Sequence, residues 1–496
     1  MKPKYFLALG LLALGLGSCG ESFFEQYPSN SVTENNYYIT DDDFDQGVAA
    51  CYHKLKTQMG YHLNELAYRS DECCKQAMTV SDASTYYFDH FEENSSNAIM
   101  SDIWNAWYNG IYRCNDVLDH MAGAKIANYD KYRGECLFLR SWWYFNLYRV
   151  FGVVPVTRTV TAPAAAKLIP RCTEEEMYTL LTEDLSEAAR LLPSTPGAEK
   201  GRVANIAAYT LLAKVYLTFG KPAEAKTALE EAMKNTAYGL ESTTGRVFDV
   251  GNKMNKEIIF ALYYNKTNDN GHGYWYSANT EVLADIRNPT PEFKAIYDSE
   301  KDNRLPLIGT YTKISSNLYA MTKWYDTYDA TYTTQVGNDF PHLRYADVVL
   351  MYAEALNEYY ADPASAPADG IRWAIDQVRS RAGMPGVDET FRNRGWALSQ
   401  ENVRKFIQNE RRVEFAFEEH RFWDIRRWMI GTQTQREAHE LDITLKDDDL
   451  TKVYKSRKFE NRIYENHMNL MPIPQSEINK NPNLVQNWGW SPKQVN

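Results

Sequence analysis

The sequence has 496 residues, a formal net charge of −11 at pH 7 and 14% aromatic residues. This length is sufficient for one large core or for two domains. The acidic balance argues against nucleic acid as a partner, because an acidic surface has no attraction for phosphate. The 35 tyrosines and 12 tryptophans suit core packing, interfaces and sugar stacking alike, so composition does not choose among these uses.

The N-terminus has the pattern of an export signal. Lys2 and Lys4 form a short basic region, residues 5–17 are mostly apolar, and the motif LGSC ends at Cys19. The apolar stretch is shorter than the roughly 20 residues that cross a bilayer, so it indicates a signal peptide. A leucine three residues before a cysteine, with small residues between them, is typical of the bacterial lipobox. We therefore expect residues 1–18 to be removed and Cys19 to carry a lipid that anchors the mature chain to a membrane. An ordinary signal peptide with an incidental cysteine is the alternative.

Six cysteines follow the lipobox. None of them forms a CxxC pair and no histidine stands at zinc-ligand spacing from them, so we expect no metal site. Export would allow some of them to oxidise, but cysteine is also a common small buried residue. We expect mostly free, buried thiols at Cys51, Cys73, Cys74, Cys114, Cys136 and Cys172.

Helix signals dominate the N-terminal half after the export signal. Thr173 and Glu176 form a capping box at the start of an amphipathic segment. Residues 209–232 then match the spacing of a tetratricopeptide repeat at eight positions, with Gly220 and Pro222 at the turn between its two helices. The sequence therefore predicts at least one helix–turn–helix unit of this class.

Two further helix pairs are predicted. Residues 343–360 and 368–383 carry apolar stripes at helical spacing, and the long connection between them makes this unit a degenerate repeat. Residues 131–152 belong to a third pair. Because one repeat cannot bury its own apolar face, we expect several units to stack as an α-solenoid.

Between the helical regions, residues 238–341 are rich in Asn, Gly, Thr and Tyr and carry short strand-like pieces such as residues 257–264. This pattern predicts a long excursion of loops, short strands and small helices on a helical scaffold. Residues 79–102 form a second irregular stretch. Loops on rigid scaffolds are where binding residues concentrate.

Near the C-terminus, residues 409–428 combine five acidic residues with six basic ones, including Glu414 and Arg411. A glycosidase needs two carboxylates facing each other across a cleft, whereas carboxylates beside arginines on one helix are held ionised and serve poorly as general acids. We therefore interpret this stretch as a helix pinned by ion pairs whose partners come from elsewhere in the fold or from neighbours such as Arg411 and Glu414. Contact with a partner protein is the second interpretation.

Five phrases in order together resemble the SusD/RagB family of surface lipoproteins of the Bacteroidetes. They are residues 103–118, 135–156, 343–358, 409–428 and 470–490. The resemblance implies a mainly α fold with about four tetratricopeptide-like helix pairs and an irregular region that carries the ligand site. It also implies a lid on a SusC-like TonB-dependent outer-membrane barrel, which captures glycans, or in some members peptides, and carries out no chemistry. No cofactor is expected.

The resemblance also suggests how the chain is divided. After the signal peptide of residues 1–18, we expect an N-terminal SusD-like helical region at 19–240, a loop-rich ligand-binding region at 241–340 and a C-terminal RagB/SusD-like region at 341–496.

The glycan site is expected on loops that combine aromatic rings with planar polar groups. The C–H face of a sugar stacks on a ring, while its hydroxyls hydrogen-bond to polar side chains. The first choice is the glycine-rich stretch of residues 268–280, which carries His272, Tyr274, Trp275 and Tyr276 without a helical spacing that would bury them.

Three other places are secondary candidates for the glycan site. Tyr86 and Tyr87 lie in the second irregular stretch. Trp324 stands in a Lys-Trp dipeptide that resembles a core position of the family. In the family, the loop after an acidic pair near the N-terminus supplies polar contacts, and here that pair begins at Asp71, with Arg69 before it.

The sequence carries none of the common catalytic motifs, neither GxSxG, HExxH, a Walker loop nor GxGxxG before a helix. We expect a lipid-anchored outer-membrane protein, facing the cell exterior, that binds oligosaccharides or polysaccharides for a SusC-like transporter. The alternatives are a peptide-binding member of the same family, a structural lid that binds no ligand, and a glycoside hydrolase.

Overall fold

The protein is described by a computed structural model that is mainly helical. It describes residues 37–66, 69–70, 72–74, 87–88, 93–264, 277–279, 288–289, 293, 296–297, 301–309, 311–315, 318–324, 337–367, 370–429 and 469–490. Seven short strands interrupt the helices in the described ranges, and six of them begin in the region where the sequence loses its helical periodicity.

The helices before residue 250 are α1 (Asp41–Leu66), α2 (Ala98–His120), α3 (Tyr129–Phe151), α4 (Pro163–Ala166), α5 (Glu174–Leu191), α6 (Asn205–Thr218), α7 (Pro222–Met233) and α8 (Thr244–Val247). The later helices are α9 (Leu305–Gly309), α10 (Tyr345–Tyr359), α11 (Gly370–Arg381), α12 (Val387–Arg394), α13 (Gln400–Glu414), α14 (Arg421–Met429) and α15 (Gln475–Lys480).

The long helices stack in chain order. α1 packs on α2, α2 on α3, α3 on α5, α5 on α6, and α6 on α7. α7 then contacts α10, across the intervening loop-rich region, and α10 packs on α11. In the described part of the chain this order gives four helix pairs, α1/α2, α3/α5, α6/α7 and α10/α11, so the expected tetratricopeptide-like α-solenoid is confirmed.

Local sequence signals explain where these helices begin and turn. The capping box at the start of α5 is present, because the Thr173 hydroxyl accepts from the Glu176 backbone and the Glu176 carboxylate accepts from the Thr173 backbone. Between α6 and α7, Gly220 has a φ of 67°, a left-handed conformation that glycine adopts without steric cost. Pro222 occupies the first turn of α7, where its missing N–H leaves no helical hydrogen bond unmade.

From Gly134 onward, helix α3 is buried almost all round, and it packs between α2 and α5 in the N-terminal stack. Gly110 of α2 packs directly on this helix. A Cβ atom added at Gly110 would lie 2.3 Å from Nε1 of Trp143, so only glycine allows α2 and the Trp143 ring to approach this closely.

In the part of the chain that the structure describes, the strands form three small antiparallel sheets. They are β1 (Cys73–Cys74), β2 (Ile258–Leu262), β3 (Ser277–Asn279), β4 (Asn288–Pro289), β5 (Tyr311–Ser315), β6 (Leu318–Met321) and β7 (Phe340–Arg344). β2 pairs with β7, β1 with β4, and β6 lies between β3 and β5.

The β2–β7 pair closes the base of the loop-rich excursion. The register places Leu262 opposite Phe340 and Ile258 opposite Arg344, and both strands are fully buried. β7 runs directly into α10, so the chain returns to the helical stack at the point where it left. The strand predicted at residues 257–264 is confirmed by β2.

Four cysteines have described side chains, and all four are free thiols. Cys51, Cys114 and Cys136 are buried. Cys172 is half-buried. Among the residues that the structure describes, no helix is both long enough and apolar enough to cross a bilayer.

Candidate functional site

The charged stretch of residues 409–428 is two helices rather than one. α13 ends at Glu414, and α14 begins at Arg421. Between them, Phe417 and Glu419 have φ values of 59° and 63°, which is rare for residues other than glycine and reverses the chain sharply. The expectation of a continuous helix was therefore wrong, and Glu414 and Glu418 are not neighbours on one helix face.

The glutamates of this stretch are held by arginines from distant elements. Glu414 accepts from Arg304 at 3.0 Å and from Arg344 at 2.6 Å, and it also pairs with Arg381. Glu410 accepts from Arg304 at 2.6 Å and from Arg379 at 2.7 Å.

Glu418 is held by cationic side chains in the same way. It accepts from Arg344 at 2.7 Å and from Lys323 at 2.7 Å. We call Glu410, Glu414, Glu418 and Glu257 the glutamate cluster. Glu257 accepts from Arg344 at 2.7 Å and from Arg381 at 2.6 Å.

A second group of ion pairs surrounds Arg411. Its guanidinium donates to Asp347 at 2.8 Å and to Asp424 at 2.8 Å. Asp347 also pairs with Lys214 of α6 at 2.5 Å. Arg427 joins Asp424, at 2.9 Å, and Glu354 of α10. These bonds tie α6, α10, α13 and α14 together.

Burial and electrostatics oppose each other at these carboxylates. Burial raises the pKa of Glu414, but Arg381, Arg344 and Arg304 outweigh it and hold that pKa well below its usual range. Burial likewise raises the pKa of Asp424, whereas Arg411 and Arg427 lower it to about 2. Carboxylates that stay ionised in this way are poor proton donors at neutral pH.

These carboxylates are also closed off from solvent. Glu410, Glu414 and Glu418 are each at most 2% exposed, so no substrate reaches them from solvent. The partners lie elsewhere in the fold, as expected, and the ion-pair interpretation is confirmed. The specific Arg411–Glu414 pairing offered as an example is wrong, since Arg411 binds Asp347 and Asp424.

Two of the candidate ligand contacts lie in the core. Trp324 is fully buried, with its ring 5.0 Å from Phe248, edge to face, and 5.4 Å from Phe340. Its neighbour Lys323 donates to Glu418 and to the carbonyl of Ala416. The Lys-Trp dipeptide is thus a structural element, and Trp324 offers no face to a ligand.

Arg69 is also unavailable to a ligand. It is fully buried, pairs with Glu93 and lies 5.7 Å from the ring centre of Phe422. Nearby, the buried carboxylate of Glu72 accepts from the backbone N–H of Phe417 at 3.3 Å. This segment therefore fastens the N-terminal region to the turn after α13.

The other candidates are mostly outside the described residues. These are Cys19, Asp71, Tyr86, His272, Tyr274, Trp275 and Tyr276. Tyr87 is described, in a short helical turn, with a half-buried side chain. The described residues that follow Tyr276 form β3, in which Ser277 lies opposite Ala320 of β6. The C-terminal end of the first-choice stretch, residues 268–280, thus forms one strand of a small sheet.

Sequence reasoning missed a cleft of about 480 Å³ between α2, α3 and α5. The facing sides of α3 and α5 contribute Arg133, Leu137, Arg140, Glu183, Asp184 and Glu187. Leu118 and Asp119 of α2 and Arg158 of the following loop complete its lining. The signal was visible as charged residues at helical spacing on two segments, but it does not show that these segments face each other.

Comparison with known proteins supports one family. Residues 302–490 match the family model described as the SusD family, and residues 23–217 match the one described as starch-binding associating with outer membrane. SusD-like protein P2 of Formosa agariphila is 26% identical, and the alignment covers 98% of this chain and 99% of that protein.

Solved structures have the same fold. A SusD-like protein from Bacteroides fragilis superposes with a TM-score of 0.74 at 23% identity, covering 94% of this chain and all of the other. A structure described as a laminarin binding SusD-like protein gives a TM-score of 0.71 at 22% identity, with 91% of this chain and all of the other covered.

Proposed function

Since the chain belongs to the SusD-like family, we propose that it is a surface lipoprotein of the outer membrane that binds oligosaccharides or polysaccharides and delivers them to a SusC-like TonB-dependent barrel. The observation that carries this proposal is the match of both halves of the chain, residues 23–217 and 302–490, to SusD-type models. One of those models is described as starch-binding, and one similar structure as laminarin binding.

The charged C-terminal region supports binding without chemistry. A hydrolase would need two carboxylates exposed across a cleft. Glu410, Glu414 and Glu418 are instead buried, and each accepts hydrogen bonds from at least two cationic side chains. Their arrangement supports a scaffold that stays rigid while a ligand binds elsewhere.

The ligand site that we propose is the stretch of residues 268–280, with Trp275 as the main stacking ring and His272, Tyr274 and Tyr276 beside it. The described elements next to this stretch in the chain are the buried β2–β7 pair and the small sheet of β3, β5 and β6. Delivery to the barrel and attachment through the lipid at Cys19 are parts of the same proposal.

The test is a glycan array followed by calorimetry on the chain that begins after Cys19, which lacks the lipid. We expect binding of oligosaccharides, a loss of affinity in Trp275→Ala, and no new reducing ends after prolonged incubation. Unchanged binding in Trp275→Ala would reject the site. Release of reducing ends would reject the binding-only function, and binding of peptides but not of glycans would favour the peptide-binding alternative.

A further inference from the structure

The cleft between α2, α3 and α5 is lined by ion pairs rather than by rings. Arg133 donates to Glu187 at 2.7 and 3.2 Å, and Arg140 donates to Asp184 at 2.7 and 2.9 Å. At the mouth, Arg158 donates to Glu183 at 2.8 Å. We propose that this cleft is a second sugar-binding site, which takes a single neutral pyranose unit or the end of a neutral glycan chain. The inference rests on the proposed glycan-binding function, and adds a site to it.

Hydrogen bonds within the protein hold the inner wall of the cleft, around Arg140 and Asp184, in place. Arg140 is 5% exposed and Asp184 3%, and Nη1 of Arg140 also donates to Asn115 and to the carbonyl of Arg158, each at 2.9 Å. Asn115 in turn donates to the carbonyl of Thr157 at 3.1 Å. The loop that carries Arg158 is therefore fixed before any ligand arrives, which lowers the entropy that binding costs.

Around this inner wall, several polar atoms keep hydrogen-bonding capacity. Asp119 uses one carboxylate oxygen to accept from the Val160 backbone at 2.7 Å, and Glu183 uses one to accept from Arg158. Within the described chain, the other oxygens of Asp119 and Glu183 and the Nη1 of Arg133 carry no protein hydrogen bond. The lining of the cleft therefore offers a ligand carboxylate acceptors and one guanidinium donor.

Neighbouring hydroxyls of a sugar can use both the acceptors and the donor. Each hydroxyl both donates and accepts, so one can donate to a carboxylate while the next accepts from a guanidinium. The hydrogen bond from Arg133 lowers the pKa of Glu187 and so favours its ionised form. Hydrogen bonds to charged groups are the stronger kind.

Size and polarity also fit a sugar ring. A volume of about 480 Å³ lies within the range of about 300–1,000 Å³ typical of small-molecule pockets. Leu118 and Leu137 supply the apolar part of the lining, against which the C–H face of a pyranose can pack.

The charge of the lining selects against anionic sugars. Three arginines face the carboxylates of Asp119, Glu183, Asp184 and Glu187, and each arginine is already paired with one of the last three. Among the described residues that line the cleft, no cationic group is left over to neutralise a sulfate or a carboxylate on the ligand, so binding an anion would bring unpaired like charges together.

The test uses the soluble chain that begins after Cys19 and a panel of neutral free hexoses in the millimolar range. Affinity is measured by ligand-observed NMR and the location by soaking crystals with the best hexose. The variants are Asp119→Asn with Glu183→Gln, which keep size and remove the carboxylate acceptors, and Trp275→Ala. Asp388→Asn is the matched control, because Asp388 is exposed and pairs with Arg372 on other helices.

In the Trp275→Ala background, which removes the stacking ring of the first proposed site, we expect hexose affinity to fall about tenfold when Asp119→Asn and Glu183→Gln are added, which corresponds to the loss of one hydrogen bond to a charged group. Adding Asp388→Asn instead should leave the affinity unchanged. Electron density for the hexose should lie between α3 and α5. If no hexose binds, or if adding the two changes leaves hexose affinity as it is in Trp275→Ala, this inference is overturned. Oligosaccharide binding that persists and depends on Trp275 would then leave the proposed function standing, whereas its absence would overturn the proposed function as well.

Discussion

Arg344 and Glu414 form a fully buried ion pair, with Nη1 of Arg344 2.6 Å from Oε1 of Glu414. The Nη2 of Arg344 also donates to the backbone carbonyl of Glu414 at 2.8 Å. Arg344 ends β7, the strand that closes the loop-rich excursion, and Glu414 ends α13. One arginine therefore caps the C-terminus of a helix and fixes the base of the region that carries the proposed ligand site.

Replacing Glu414 by glutamine should destabilise the protein strongly. The change leaves Arg304, Arg344 and Arg381 in a buried site with one fewer counter-charge, and loss of one partner of a buried ion pair typically costs about 3–5 kcal/mol. Denaturant unfolding followed by circular dichroism measures this free energy. The matched control is Glu401→Gln in the same helix, where an exposed pair with Lys405 predicts a cost below about 1 kcal/mol. Equal costs for the two variants would contradict a structural role for the cluster.

The lowered pKa of His342 leads to a prediction about how the free energy of unfolding depends on pH. Burial, with Arg149 and Lys214 nearby, lowers its pKa to about 3, from 6.5 in the unfolded chain. Between these values the unfolded state binds a proton that the folded state does not, so the free energy of unfolding decreases as the pH falls. The ring packs 5.1 Å from Trp142 and 5.0 Å from Phe340, which makes His342→Phe a suitable replacement.

In this pH window, His342→Phe should lose less stability than the parent on acidification, by about 1.4 kcal/mol for each pH unit. Urea unfolding at pH 6 and at pH 5 tests this difference. Taking the difference between the two proteins cancels the contribution of groups with the opposite pH dependence. Glu135 is one such group, because burial raises its pKa to about 7. Parallel pH profiles for the two proteins would show that His342 is protonated in the folded state.

The contact between Gly110 and Trp143 makes a prediction about helix packing. Gly110→Ala should destabilise the protein by about 1–3 kcal/mol, the usual cost of overpacking a core, although alanine favours a helix more than glycine does. Gly239→Ala is the control, since a Cβ there meets no atom within 4 Å. Thermal unfolding should show a lower midpoint for Gly110→Ala and little change for Gly239→Ala. A stabilised Gly110→Ala variant would mean that the two helices can separate without cost.

The repeat scaffold was predictable because its signals are local. The capping box of Thr173 and the turn at Gly220 each depend on residues within a few positions of one another, and the structure contains both. The ion pairs were not predictable in detail, since Arg304 and Glu410 are 106 residues apart. The reversal at Phe417 was missed because a left-handed conformation at phenylalanine has no sequence signature.

The same limit applies to the candidate site. Trp324 and Trp275 both stand among tyrosines in the loop-rich region, and composition does not separate a core ring from an exposed one. Only the contacts of Trp324 with Phe248 and Phe340 identify it as core. The α3–α5 cleft was missed for a related reason, since Arg133 and Glu187 are joined by packing rather than by spacing.

The two tryptophans predict opposite outcomes when they are replaced. Trp324→Phe should lower the unfolding midpoint, because it leaves unfilled volume beside Phe248 in a core that is closely packed. It should change oligosaccharide affinity by no more than about twofold, or about 0.4 kcal/mol of binding free energy, because the buried ring offers no face to a ligand. Trp275→Ala should leave the midpoint nearly unchanged and lower affinity about tenfold, because the proposed stacking ring is lost. Calorimetric titration and thermal unfolding of both variants separate the two roles. A loss of affinity in Trp324→Phe at unchanged stability would place Trp324 at the ligand and contradict its assignment to the core.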